Sequence, residues 1–72
     1  MDELFKVFEE LNVNKTCTIA IMYDNYLEWS ITVIDERPGW GNEKVISDVY
    51  DTDISVVIKK TIENIKKYQN TY

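Results

Sequence analysis

Carboxylates and aromatic rings are the residues of this chain that could do chemistry, and they are offered no histidine to work with. Thirteen Asp and Glu stand against eight Lys and Arg in 72 residues, with no His and a single Cys. Lacking imidazole, the chain has no general base of the commonest kind, no ordinary nucleophile triad and few routes to a zinc site. Carboxylates alone can hold a hard cation, and Asp51-x-Asp53 with Asp48 nearby matches two positions of a calcium loop. Such a loop also needs a central Gly and a closing Glu. Neither is present, so these acids read as helix caps and no metal is expected. Both glycines sit in Pro38-Gly39-Trp40-Gly41, which makes a turn and does not open a helix as a phosphate-cradling loop would. Cys17 falls on an apolar strand face and reads as a small buried hydrophobe. The expectation is a protein that is not an enzyme and carries no cofactor.

Recognition is the chemistry that remains. Residues 1–53 hold twelve carboxylates against four basic groups, whereas residues 54–72 hold one carboxylate against four lysines. A body of that sign repels phosphates, which argues against direct nucleic-acid binding and for a basic protein partner. Asp24, Glu28, Asp48 and Asp51 are expected to gather near one end of a sheet, and Asp35, Glu36 and Glu43 at the other. The plainest role of such acids is solubility; the sharper one is an array that imitates a phosphate backbone and associates quickly with a positive surface. Trp40 either folds back over the core edge or projects from its loop as an anchor, with Arg37 and Tyr50 as companions of the types that dominate interface energetics. The candidate partner-binding set is therefore Asp24, Glu28, Asp35, Glu36, Arg37, Trp40, Asp48, Tyr50 and Asp51.

Those residues need a frame, and the pattern supplies one over residues 17–35. Cys17, Ile19, Ile21 and Tyr23 alternate with Thr18, Ala20 and Met22, and Leu27, Trp29, Ile31 and Val33 alternate with Glu28, Ser30 and Thr32. Period-two alternation of β-branched and aromatic residues marks two half-buried strands. A two-residue turn would mix their faces, because a one-residue slip inverts every side chain. A three-residue loop over residues 24–26 keeps them matched, with Ile21 opposite Trp29 and Ile19 opposite Ile31. Residues 44–50 resume strand character, Val45, Ser47 and Val49 on the core face and Ile46, Asp48 and Tyr50 on the other. Leu4, Val7, Phe8 and Leu11, widened by Phe5, make the stripe of a helix over residues 2–11. Ile54, Val57, Ile58, Thr61, Ile62, Ile65 and Tyr68 make a second, begun by a cap at Asp51 or Thr52 and fraying from Gln69. The order α-β-β-β-α predicts an α+β fold: a three-stranded antiparallel sheet with both helices on one face, as a single domain over residues 1–72. The opposite face would stay open.

Seventy-two residues bury a small core, which is a reason to expect a homodimer. No run of about 20 apolar residues spans a membrane, and the acidic opening Met1-Asp2-Glu3 has the wrong sign for a signal peptide, so a cytoplasmic location is expected. In its size, its acidity and its richness in Ile, Lys, Asn and Tyr, the chain resembles anti-CRISPR proteins and other small phage-encoded defence inhibitors. The likeness brings no motif and so gives no residue a role, and the lysine-bearing last helix departs from a pure nucleic-acid mimic. It implies an inhibitor in the host cytoplasm that occupies the basic surface of a nuclease or other nucleic-acid-handling protein by DNA mimicry. Two alternatives stand beside it. One is a sponge for a signalling nucleotide, held near Trp40, Arg37 and the helix lysines; the other is a homo-oligomeric interaction module joined through Met22, Ile34, Ile46 and Tyr50.

Overall fold

The computed structural model describes residues 2–13, 16–24, 27–36 and 44–71. Helix α1 (Asp2–Leu11) is followed by strands β1 (Cys17–Tyr23), β2 (Trp29–Asp35) and β3 (Lys44–Asp51) and by helix α2 (Ile54–Thr71). The sheet is antiparallel in the order β1-β2-β3. One hydrophobic cluster joins Leu4 and Val7 of α1, Val57, Ile62 and Ile65 of α2, and Ile31 and Val33 of β2, so both helices cover the same sheet face. The α-β-β-β-α order of an α+β fold is the one the pattern predicts. No helix among the described residues is long and apolar enough to cross a membrane.

Each element follows from local chemistry. In α1, Asp2 and Glu3 occupy the first turn, where the helix dipole favours negative charge. Asn12 closes the helix, donating its N–H to the Phe8 carbonyl at 2.8 Å, and its side-chain oxygen then accepts the N–H of Cys17 at 2.8 Å. One residue thus ends the helix and starts the sheet. Phe5 departs from expectation: it is exposed, because Leu4, Val7, Phe8 and Leu11 already fill the inward arc and Phe5 lies beyond it.

The hairpin keeps the expected parity but slides by two residues. Ile21 pairs with Ile31 and Ile19 with Val33, and Tyr23, not Ile21, stands opposite Trp29. The ladder continues past the strand ends, since Asp24 N–H donates to the Glu28 carbonyl at 3.0 Å. Leu27 N–H donates to the Asp24 carbonyl at 3.2 Å, and Leu27 itself adopts φ = 61°. The reversal therefore uses a left-handed residue, Leu27.

In β3 the faces change over partway. Ser47 pairs with Val33, but the next pair is Val45 with Ile34, so Ile46 is a bulged extra residue. Parity inverts there. Ile46 packs toward the core and Val45 is exposed, the reverse of strict alternation. Beyond the bulge Lys44 comes to the helix side, with its ammonium 5.3 Å from the centre of the Tyr68 ring.

Polar groups inside are paired. Thr61 is fully buried in α2 and returns its hydroxyl to the Val57 carbonyl at 2.7 Å, while Asn64 Nδ2 donates to the buried Ser47 hydroxyl at 3.0 Å. No buried side-chain nitrogen or oxygen among the described residues lacks a partner. Helix α2 is capped by Asp53, neither Asp51 nor Thr52. Its carboxyl accepts the Ser55 N–H at 3.0 Å and the Ser55 hydroxyl at 2.7 Å, and its carbonyl accepts from Val56 at 3.1 Å. The helix then runs past Gln69 to Thr71.

Candidate functional site: the acidic hairpin end of the sheet

The register brings carboxylates to one end of the sheet and sets exposed apolar groups among them. Tyr23, Trp29 and Asp51 form one row across the three strands, and Asp24 and Glu28 form the next. Met22, Ser30 and Tyr50 form the neighbouring row on the open face, followed by Ala20, Thr32 and Asp48. Asp24, Glu28 and Asp51 thus stand in the last two rows of the sheet, with Asp48 further back on the open face of β3, and Asp53 follows at the start of α2. Strand polarity causes this, because β2 begins where β1 and β3 end.

Hydrogen bonds fix the direction of several of these acids. Asp24 Oδ1 accepts the Glu28 N–H at 3.1 Å. Asp51 Oδ1 accepts the Asp53 N–H at 3.0 Å, in the turn that carries β3 into α2. Asp48 Oδ1 accepts the Thr32 hydroxyl across the sheet at 3.3 Å. The Ser55 hydroxyl, then the Ser55 and Val56 amides, hold the Asp53 carboxyl below its ordinary value of 3.8. Asp53 therefore caps the helix, as read from the sequence, whereas Asp51, read there as a helix cap too, holds the turn before it. Among the described residues no group of three His, Cys, Asp or Glu is placed to share a metal ion.

Apolar groups stand between the acids. Leu27 is 65% exposed at the hairpin tip and Tyr50 is 68% exposed on the open face, with Met22 and Tyr23 also exposed beside them. Tyr23 leans on Trp29, the ring centres 4.6 Å apart and the planes 47° from parallel, which keeps its outer edge in solvent. Tyr23 and Leu27 read in sequence as core-face residues. They project past the part of the sheet that the helices cover, and strand parity carries no information about where that cover stops.

The opposite end of the sheet is built differently. Asp35 was placed with the partner-binding acids by sequence, but it is only 1% exposed and belongs to the interior. It accepts the Tyr68 hydroxyl at 3.0 Å and the Thr16 hydroxyl at 3.3 Å, tying β2 to α2 and to the segment before β1. The odd parity it shares with Ile31 and Val33 points it at the helices. Glu36 is exposed and accepts the Thr18 hydroxyl at 3.3 Å. Arg37, Trp40 and Glu43 lie outside the described residues. The structure thus draws together Asp24, Glu28, Asp48, Tyr50 and Asp51, sets Glu36 apart from them and removes Asp35 from the surface.

A cavity of about 370 Å³ lies where α1 meets α2, lined by Glu3, Ser55, Ile58, Lys59, Ile62 and Glu63. Two carboxylates against one ammonium make it a poor receptacle for a phosphorylated ligand. Glu3 also meets Lys66 at 3.9 Å in a solvent-exposed ion pair that contributes little.

No protein-family model, curated protein or solved structure matches this chain.

Proposed function

We propose that this chain is a non-enzymatic binding protein that docks the acidic hairpin end of its sheet on a basic protein surface. The partner class is a nucleic-acid-handling protein, a nuclease foremost, whose phosphate-binding channel the carboxylates occupy. An inhibitor of this sort, encoded by a phage and acting in the host cytoplasm, is the role the anti-CRISPR resemblance suggests.

The observation that supports this reading most is Leu27. A left-handed leucine costs about 1–2 kcal/mol relative to a relaxed backbone, and here it carries an apolar side chain that is 65% exposed between Asp24 and Glu28. The left-handed backbone serves the hairpin reversal, but the exposed apolar side chain does nothing for it, and exposed apolar surface among acids is typical of a contact point. With Tyr50, Leu27 supplies exposed apolar surface at the end of the sheet that carries Asp24, Glu28 and Asp51, a mixture suited to a protein-binding patch. The carboxylates provide steering and orientation.

Affinity capture from a bacterial lysate tests the proposal, comparing the native chain with a Glu28→Lys, Asp48→Lys, Tyr50→Ala variant. Neither acid caps a helix, so the fold should survive. The native chain should retain a basic nucleic-acid-binding protein, release it as salt rises, and prevent it from binding DNA. The variant should retain none of it. Equal retention by both, or capture that ignores salt, would rule the site out.

A further inference from the structure

The two edges of the sheet are not alike. Strand β3 carries Lys44, Asp48 and Asp51 and the bulge at Ile46, features that discourage another strand from pairing. Strand β1 has none of them. Its seven residues, Cys17–Tyr23, include no charge, no Pro and no Gly, and its register with β2 is unbroken. In a chain of which 29% is charged, this is an unprotected edge.

Two bonds that bracket β1 fix which of its backbone groups face outward. Glu36 N–H donates to the Thr16 carbonyl at 2.8 Å and Asp24 N–H to the Glu28 carbonyl at 3.0 Å. Residues alternate along an antiparallel ladder, so even-numbered Thr18, Ala20 and Met22 bond to β2 and odd-numbered residues turn their N–H and C=O away from it. The Asn12 side chain confirms the phase by taking the outward N–H of Cys17, which also closes that end of the edge. Ile19, Ile21 and Tyr23 remain, facing no strand among the described residues. Their side chains lie on the helix-covered face, yet Ile19 and Ile21 are only partly buried and Tyr23 is exposed.

We propose that β1 is a homodimer seam, on which a second copy of this chain adds its own β1 antiparallel, with the two-fold axis through Ile21. That register uses the outward groups that remain. Ile21 bonds to Ile21 of the second copy, and Ile19 to its Tyr23. Apolar side chains then meet apolar ones on the helix side, and on the open side Ala20 lies opposite Met22, a small residue against a long one. The strand is self-complementary, as an isologous contact must be, and along residues 19–23 it brings no like charges together although each copy is net acidic. Carboxylates stand only at the seam ends, where Asp24 faces Thr18 and its bonded Glu36. Added salt screens those acids, so self-association tightens with ionic strength, opposite in sign to docking on a basic surface.

The test is amide exchange of the intact chain by NMR, dilute and concentrated, with sedimentation equilibrium on the same samples. The mass should double with concentration, and more readily at high salt. Exchange at Ile19, Ile21 and Tyr23 should slow about tenfold once roughly nine-tenths of the chains are paired, because only the residual monomer then exchanges. Thr18, Ala20 and Met22, already held by β2, should change little. A synthetic chain N-methylated at Ile21 keeps the β1–β2 ladder and should stay monomeric. Three results would overturn the proposal: a monomer at millimolar concentration, a dimer in which these three amides exchange unchanged, or protection that appears only with an added foreign strand.

Discussion

The two ends of the sheet hold the same kind of residue in opposite roles. At the hairpin end Asp24, Glu28 and Asp51 share the last rows of the sheet with exposed Leu27, Tyr23 and Tyr50, and the carboxyl groups of Asp24 and Asp51 accept main-chain amides. At the far end Asp35 is sunk beneath α2 with the hydroxyls of Tyr68 and Thr16 directed at it. One end spends acidity on orientation toward solvent, the other on joining two layers. An Asp at a strand end is thus read by whether a helix side chain reaches it, as Tyr68 of α2 reaches Asp35. The hairpin end offers a surface, and the far end holds the helix down.

That contrast can be broken by substitution. Asp35→Ala should have the largest effect, a loss of about 2–4 kcal/mol in urea unfolding, because it strands two inward hydroxyl donors. Asp48→Ala, exposed and bonded only across the open face, should stay within about 0.5 kcal/mol. If the two cost the same, the contrast fails. Tyr68→Phe should remove about 1 kcal/mol by deleting one hydrogen bond to Asp35 while leaving the ring under Lys44. Leu27→Gly should act the other way, adding about 0.5–1 kcal/mol as the left-handed strain is relieved, while weakening capture of the partner. A gain in stability without a loss of binding would separate Leu27 from the proposed site. The smallest effect concerns Asp53. Its carboxyl is held below 3.8 in the folded chain, so the stability it contributes is complete above that value and fades as pH falls through the depressed one. Asp53→Asn should flatten that acid limb of a melting-temperature profile without changing the plateau near neutrality by much.

Much of this frame was legible in the residues. The five elements and their order follow from alternation over residues 17–35 and from the helical stripes of Leu4–Leu11 and Ile54–Tyr68. Loop parity was legible too, since only an odd reversal keeps Ile19, Ile21, Ile31 and Val33 together. The two-residue slide was not, because sliding by two preserves every face, and only the backbone bond between Asp24 and Glu28 selects it. The bulge was hidden for a related reason: Val45 and Ile46 are both β-branched, so either could face inward. The fate of Asp35 depended on the length of α2 and on Tyr68, a partner 33 residues away in the chain. The candidate site was therefore half readable. Strand polarity grouped its acids, but the apolar anchors Tyr23 and Leu27 depend on where helix cover ends.

The extra residue at Ile46 makes β3 two half-strands with opposite grammars. From Ser47 to Asp51 odd positions look toward the helices, while at Lys44 and Ile46 even ones do. A library of single substitutions should therefore show tolerance to charge switching from position 45 to positions 48 and 50. Deleting Ile46 should restore a regular ladder in which Val45 stays opposite Ile34 and Lys44 opposite Asp35, so the Tyr68 ring keeps its cation while the core loses one apolar side chain.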